Sequence, residues 1–268
     1  MPLAICATPI GNLEDVTLRV LRELGEADLV LCEDTRRTRI LLERHGVDAR
    51  LKSYHEHNEA RRTAEVLPQL RAGERIALTS DAGLPGISDP GARLISAALE
   101  EGAPVTVLPG PSAVETALVA GGLVADRYQF LGYLPRSEKA RVELWEELAR
   151  WPHAAVAFES PRRLPASMAS LAKAMPERPV AVCRELTKRF EEIIRGPAAE
   201  ITARLDEPPK GEITVVLGAF ETAAGGTQEE ARAAVTELVR AGAGRRQAAD
   251  VVARLTGHSR NQLYRASL

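Results

Sequence analysis

Short apolar runs alternate with helical patterns through the first half of the chain. Leu3–Ala7 is continuously apolar and stops at the turn-forming cluster Thr8-Pro9-Ile10-Gly11-Asn12, which predicts a buried strand and a loop. Thr17–Leu24 carries Leu18, Leu21 and Leu24 and ends at Gly25, the pattern of a short helix. A strand at Leu29–Cys32, a helix at Arg36–His45 and a strand at Leu51–Tyr54 follow. Asn58 can cap a helix running towards Gly73, and Pro68 is predicted to kink or divide it. Next come a strand at Ile76–Thr79, the loop Ser80–Gly91, a helix at Ala92–Glu101 and a strand at Val105–Leu108. Pro109-Gly110-Pro111-Ser112 then leads into a small-residue helix. Strands alternating with helices predict a parallel or mostly parallel sheet covered on both faces. Ligands of such sheets lie beyond the carboxyl ends of the strands, where these Gly- and Pro-rich loops fall.

The pattern pauses at Gly121–Asp126, which sets a predicted boundary between domains 1–122 and 123–220. A second α/β alternation follows, with strands at Tyr128–Leu134, Ala154–Phe158, Val180–Arg184, Glu192–Arg195 and Glu212–Leu217. Its helices are predicted at Glu138–Arg150, Leu164–Met175 and Ala198–Leu205. Thr222–Thr227 reads as a linker to a tail, 221–268 overall, with amphipathic helices at Gln228–Ala241 and Arg245–Leu255. Ser259-Arg260-Asn261-Gln262 matches the capping box of a last short helix. The expected fold is therefore α/β, two domains each with a mixed or mostly parallel sheet, plus a small helical extension.

Charge sharpens this division. The 268 residues hold 35 Lys+Arg against 37 Asp+Glu, net −2, which excludes a protein that coats nucleic acid by bulk positive charge. Residues 228–268 carry seven Arg and four acids, so a +3 tail is attached to a −5 body. That tail reads either as a helix-turn-helix-like unit or as a helical packing segment. No apolar stretch is long enough to span a bilayer, and Met1–Ala7 lacks the pattern of a secretory signal. Cys6, Cys32 and Cys183 are odd in number and far apart, as expected of buried thiols in a reducing cytoplasm.

Several polar clusters end predicted strands. The densest is Ser80-Asp81-Ala82-Gly83-Leu84-Pro85-Gly86-Ile87-Ser88-Asp89-Pro90-Gly91. Its glycines let backbone approach a ligand, and Asp81 can accept from an amine or hydroxyl. No strand is followed by G-x-G-x-x-G, and no G-x-x-x-x-G-K-[ST] occurs, against a standard dinucleotide fold or P-loop chemistry. Glu33-Asp34-Thr35-Arg36-Arg37 begins a helix with acids suited to its dipole and two Arg that are not. His55-Glu56-His57-Asn58 holds two His at i, i+2; no third ligand supports a metal, leaving substrate contact or proton transfer beside a structural role. Phe158-Glu159-Ser160-Pro161-Arg162-Arg163 and Arg184-Glu185-Leu186-Thr187-Lys188-Arg189 end strands of the second half and suggest a cleft between the domains.

Seven stretches in order resemble the tetrapyrrole methylase superfamily, and more closely its ribosomal RNA branch. They are Ala7–Leu13, Glu33–Arg36, His55–Asn58, Ser80–Gly91, Pro109–Ala113, Glu159-Ser160 and Arg184–Lys188. The resemblance runs from about Leu3 to Gly218 and extends to the basic tail; Leu84 and Gly86 depart slightly from the pattern. It implies a two-domain fold with S-adenosyl-L-methionine in the interdomain cleft, and 2′-O-methylation of a cytidine ribose in small-subunit ribosomal RNA. Pro9, Gly11, Asn12, Ser80, Asp81, Ala82, Gly83, Pro85, Ser112 and Ala113 would line the cofactor site from the first domain. Phe158, Glu159, Ser160, Glu185, Leu186, Ile213 and Thr214 would close over it from the second.

An in-line methyl transfer needs alignment and a proton acceptor. Glu33, Asp34, His55 and His57 are candidate bases, while Glu185 and Lys188 can polarise the hydroxyl from the opposite wall. Arg36, Arg37, Arg162 and Arg163, with Arg245 and Arg246 of the tail, are the expected RNA contacts. Expected partners are small-subunit ribosomal RNA or the assembled subunit, with no membrane, and a second copy in a homodimer. A tetrapyrrole (precorrin-type) C-methyltransferase and a ligand-sensing helix-turn-helix regulator are the competing readings.

Overall fold

The computed structural model describes residues 2–205, 207–220, 228–256 and 259–266. The first sheet contains β1 (Leu3–Cys6), β2 (Leu29–Cys32), β3 (Leu51–Ser53), β4 (Ile76–Thr79) and β5 (Val105–Leu108). Its order is β3-β2-β4-β1-β5 and every pairing is parallel. Between the strands run α1 (Leu18–Glu26), α2 (Thr35–Arg44), α3 (Glu59–Arg71) and α4 (Ala92–Glu100). Side chains alternate along a strand, so β1 serves two cores. Leu3 and Ile5 pack with Val66, Leu70 and Leu94 of α3 and α4, while Ala4 and Cys6 pack with Val20, Leu24 and Leu42 of α1 and α2. The chain leaves β1 towards β2 and leaves the neighbouring β4 towards β5, in opposite directions. The carboxyl ends of β1 and β4 therefore form a switch point, where the two departing loops separate and leave a crevice.

The α3 segment corrects one expectation. Pro68 lies inside a single helix rather than dividing it. Pro68 sits in the last turn, so only one i→i−4 bond is forfeited. Asn58 makes no side-chain cap to this helix, because its amide is engaged elsewhere.

The second sheet has order β6-β7-β10-β8-β9, built from β6 (Tyr128–Tyr133), β7 (Ala154–Glu159), β8 (Pro179–Arg184), β9 (Glu192–Pro197) and β10 (Ile213–Leu217). It is mixed: β6 and β7 are parallel and the other pairings antiparallel. The helices α6 (Glu138–Ala149), α7 (Leu164–Ala174) and α8 (Ala198–Ala203) cover one face through Trp145, Leu148, Leu164, Met168, Leu171 and Ile201. The helix α5 (Ala113–Gly121) precedes position 122 in sequence yet packs on the other face, with Ala117 and Leu118 against Ala154, Val156, Ala181 and Val216. Ile10, from the loop after β1, joins the same cluster and ties the two sheets together. Behind the second sheet, Arg178 is wholly buried and donates to the carbonyls of Leu148, His153 and Gly218. Burial pulls its guanidinium down to about 10.

The tail forms α9 (Gln228–Arg240), α10 (Arg245–Thr256) and α11 (Arg260–Ala266). Ala231, Val235, Ala248, Ala249, Val252 and Leu263 make a core among these three helices, a cluster that includes no residue of either sheet. The stretch Thr222–Thr227, read as a linker, lies outside the described residues.

Candidate active site in the cleft between the sheets

A cavity of about 280 Å³ opens at the β1/β4 switch point. The loop after β1 supplies Thr8, Pro9, Ile10, Gly11 and Leu13; the loop after β4 supplies Ser80, Asp81 and Ala82. Arg37, Thr38, Ile40 and Leu41 of α2 form a third side, and Lys188 and Glu212 close it from the second sheet. The two loops are knitted together. Thr8 N–H donates to the Gly83 carbonyl at 2.8 Å, Gly83 N–H donates back at 3.0 Å, and Thr8 Oγ1 donates to the Ser80 carbonyl. Ser80 Oγ donates within its own loop, to Ala82 and Gly83 carbonyls, so what this segment offers a ligand is chiefly backbone and Asp81.

Across the cleft, Glu185-Leu186-Thr187-Lys188 presses against the β1 loop. Asn12 N–H donates to Thr187 Oγ1 at 3.0 Å. A Cβ on Gly11 would lie 2.6 Å from Lys188 Cγ, 2.7 Å from Thr187 Oγ1 and 2.8 Å from the Leu186 carbonyl, so only glycine permits this approach. Glu185 and Thr187 hold left-handed φ of 52° and 65°, an unfavourable conformation, most of all for β-branched Thr. Glu185 N–H to the Glu212 carbonyl, Lys188 N–H to the Glu185 carbonyl and Thr187 N–H to Glu191 Oε2 hold it in place. Gly211, at φ +97°, leaves room for the Glu185 carboxylate, which a Cβ would overlap at 2.5 Å. Lys188 Nζ bridges Glu185 Oε1 at 2.8 Å and Glu212 Oε2 at 2.9 Å. Burial works against its charge, but these two hydrogen bonds prevail and hold Lys188 above its ordinary value. The Lys188 hydrogen bond draws the Glu185 carboxyl down.

A carboxylate cluster flanks the other side. Asp81 Oδ1 accepts from Asp34 N–H at 3.0 Å and Oδ2 faces Arg37 at 3.4 Å. Asp34 caps α2, accepting from Arg36 N–H and from the Arg36 guanidinium, which hold its carboxyl well below the usual range. Burial, then the charge of Asp81, raises Glu33. Burial, then the charges of Glu33 and Asp81, pushes Asp89 up to about 6. Glu59 accepts from Gly91 N–H and from Tyr54 OH, pinning the end of the Ser80–Gly91 loop to α3.

The His55–Asn58 turn resolves a tautomer. Asn58 Oδ1 accepts from His55 backbone N–H at 2.9 Å, so its Nδ2 is the group that donates to the Ser53 carbonyl and faces His55 Nε2 at 3.0 Å. Nε2 must then accept, and Nδ1 carries the proton of the neutral ring. That Nδ1 is buried without a partner. His57 is exposed, its ring edge-on to His55. Among the described residues no cluster of three His, Cys, Asp or Glu side chains could hold a metal ion.

Other expected site residues sit away from the cavity lining. Glu159 is buried, with Ser160 N–H, Ser167 Oγ and Arg163 all directed at its carboxylate. Arg163 also donates to the Leu134 carbonyl, and Arg162 is exposed. Phe158 lies edge-to-face with Phe130 and Tyr133. Ile213 and Thr214 are buried in β10. Ser112 precedes α5, with its hydroxyl on Glu115. Arg245 and Arg246 open α10 in the tail. Reading the sequence did not single out Thr38, Ile40, Leu41 or Glu212 as lining residues. The apolar face of α2 could have signalled the first three; only the Lys188 contact reveals Glu212.

The first sheet is wholly parallel, and its switch point is capped by a loop of a second, mixed sheet. The fold is that of solved structures titled as the methyltransferase CobJ (TM-score 0.62, 18% identity, 81% of this chain and 93% of that one) and uroporphyrin-III-C-methyltransferase from Thermus thermophilus (0.55, 20%, 81% and 94%). The chain belongs to the tetrapyrrole methylase family: residues 2–202 match its model, described as Tetrapyrrole (Corrin/Porphyrin) Methylases, and the protein is a methyltransferase. It is similar to ribosomal RNA small subunit methyltransferase I of Micromonospora olivasterospora, 42% identical over 265 residues, 98% of this chain and 85% of that one. The protein of the same name from Thermotoga maritima is 42% identical over 220 residues, 82% of this chain and 99% of that one.

Proposed function

We propose that the protein transfers a methyl group from S-adenosyl-L-methionine to the 2′-oxygen of a cytidine ribose in small-subunit ribosomal RNA. Similarity over almost the whole chain to proteins named for that RNA carries this reading. The cavity suits the methyl donor: an apolar side at Ile10, Leu13, Ile40 and Leu41, backbone groups from two loops, a Gly11 wall with no side chain, and Asp81 to accept from an amine. The cofactor brings a methyl already activated as a sulfonium, so the chain's task is alignment and removal of one proton.

Glu33 is the proton acceptor in this reading. Burial beside Asp81 makes it a stronger base than an ordinary carboxylate. Asp34 is committed to Arg36, and Lys188 stays charged between two carboxylates. His55 has its Nε2 turned to the Asn58 amide, so that nitrogen is already engaged and is not the acceptor in this reading. Arg37 stands at the cavity rim to meet a phosphate, and the basic tail helps to capture the RNA, with Arg245 and Arg246 foremost. We take the working unit to be a cytoplasmic homodimer with domains 1–122 and 123–220. No helix among the described residues is long and apolar enough to cross a membrane.

The test is to incubate purified protein and labelled S-adenosyl-L-methionine with small-subunit RNA, or with assembled subunits, and to map the modified nucleotide. Label on a ribose 2′-oxygen of one cytidine is expected. Label on a base, or on a precorrin alone, overturns the reading.

A further inference from the structure

A second cavity, about 550 Å³, lies on the outer side of the Gly11–Lys188 contact. Gly11, Leu13 and Lys188 line both cavities, so the pinched contact is a shared wall between them. The outer cavity adds Asn12, Glu14, Arg44, Thr187 and Arg189. Arg44 is paired with Glu14 at 3.0 Å across an exposed surface, an ion pair that an incoming phosphate can displace at little cost. Arg189 lies over the ring of Phe190, 5.5 Å from its centroid. Phe190 is 65% exposed, on the turn that follows the strained Glu185–Lys188 segment. A large aromatic held mostly in water and backed by a guanidinium buries little apolar surface for its size. It is the arrangement that stacks an unpaired base while the cation takes the adjoining phosphate.

We propose that Phe190 and Arg189, with Arg44 across the outer cavity, form a docking platform for single-stranded RNA, stacking a base next to the nucleotide whose ribose meets the methyl donor held in the inner cavity. The inference rests on the RNA-methylating reading and deepens it. A body of net charge −5 has no broad basic field to draw RNA in. Stacking at one aromatic, with one or two placed cations, positions a strand without such a field.

The test uses the full chain and a cytidine-containing single-stranded oligoribonucleotide, followed by fluorescence anisotropy. Phe190→Ala is expected to weaken RNA binding roughly tenfold or more, the loss of one base stack, with S-adenosylhomocysteine affinity unchanged. Phe190→Trp should keep the affinity. Arg189→Ala should flatten the salt dependence by about one phosphate contact. Equal RNA affinity for Phe190→Ala and the parent overturns the platform. So does conversion of a dimer to a monomer by Phe190→Ala, which would assign the ring to a subunit interface. A parent protein that binds RNA through Phe190 yet transfers no methyl to it would remove the proposed reaction and leave the platform standing.

Discussion

Gly11→Ala adds one methyl group at the point where the two sheets meet. Its Cβ would need to withdraw by about 1 Å from Lys188 Cγ, Thr187 Oγ1 and the Leu186 carbonyl to reach ordinary carbon contact distances. The two side chains can rotate, but the Leu186 carbonyl cannot. It is fixed between residues at φ 52° and 65°, inside a loop held by three backbone N–H donors. The β1 loop must therefore retreat and give up the Asn12 N–H to Thr187 Oγ1 bond. Overpacking costs about 1–3 kcal/mol and the lost hydrogen bond about 1 kcal/mol. If both walls grip the methyl donor, most of this appears as lost affinity, roughly 10- to 100-fold for S-adenosylhomocysteine by calorimetry. The Tm should fall by only a few degrees. Gly244→Ala, where a Cβ meets open space, is the control and should change neither quantity. Affinity and Tm both unaltered in Gly11→Ala would refute the account of the pinched wall.

Glu33→Gln should lower kcat by roughly a hundredfold or more while leaving cofactor affinity intact; an unchanged kcat removes Glu33 as the acceptor. Asp89 binds its proton more tightly folded, at about 6 against 3.8 unfolded, so it favours folding at low pH and its contribution is lost as pH rises through this window. The shift corresponds to about 3 kcal/mol, reduced by solvent screening at this half-buried group to roughly 1–2 kcal/mol. Asp89→Asn should therefore stabilise the protein by that amount against urea above neutrality, and not near pH 4; a constant difference across pH would contradict it. Arg178→Met removes the donor to three carbonyls, two of them buried, and should cost at least about 2 kcal/mol; a near-native urea midpoint would show that those carbonyls find other partners. Deleting 228–268 should leave S-adenosylhomocysteine affinity and the fold of the two sheets unchanged while weakening RNA capture, since the tail has its own core; equal loss of both would make the tail part of the catalytic body.

Local information was enough for much of the architecture. Leu29–Cys32, Ile76–Thr79 and Val105–Leu108 were readable as strands because four consecutive apolar or β-branched residues bounded by turns have few other ways to be buried. The tail's helices were legible from their amphipathic spacing. The loop clusters at the carboxyl ends of the first sheet's strands marked the rim of the cavity for the same reason: parallel connections place their loops there.

Pairing direction and side-chain orientation were settled only by the folded chain. The second alternation of strands and helices does not reveal that its sheet is largely antiparallel, because pairing direction depends on how β10 inserts between β7 and β8. Nor does the motif Glu159-Ser160 show that its carboxylate turns inward to Ser167 and Arg163 rather than towards a ligand. The polarity of His55 came from one amide, Asn58, whose orientation is forced by the backbone. The sequence by itself determined the strands, helices, loops and division of charge, all set by neighbours within a few residues. Tertiary structure decided which loops touch, which acids are spent on internal hydrogen bonds, and where Gly11 must have no side chain. The last depends on the approach of residues more than a hundred positions apart, Gly11 and Lys188, and even the nearer contacts are set by how the strands and loops are placed.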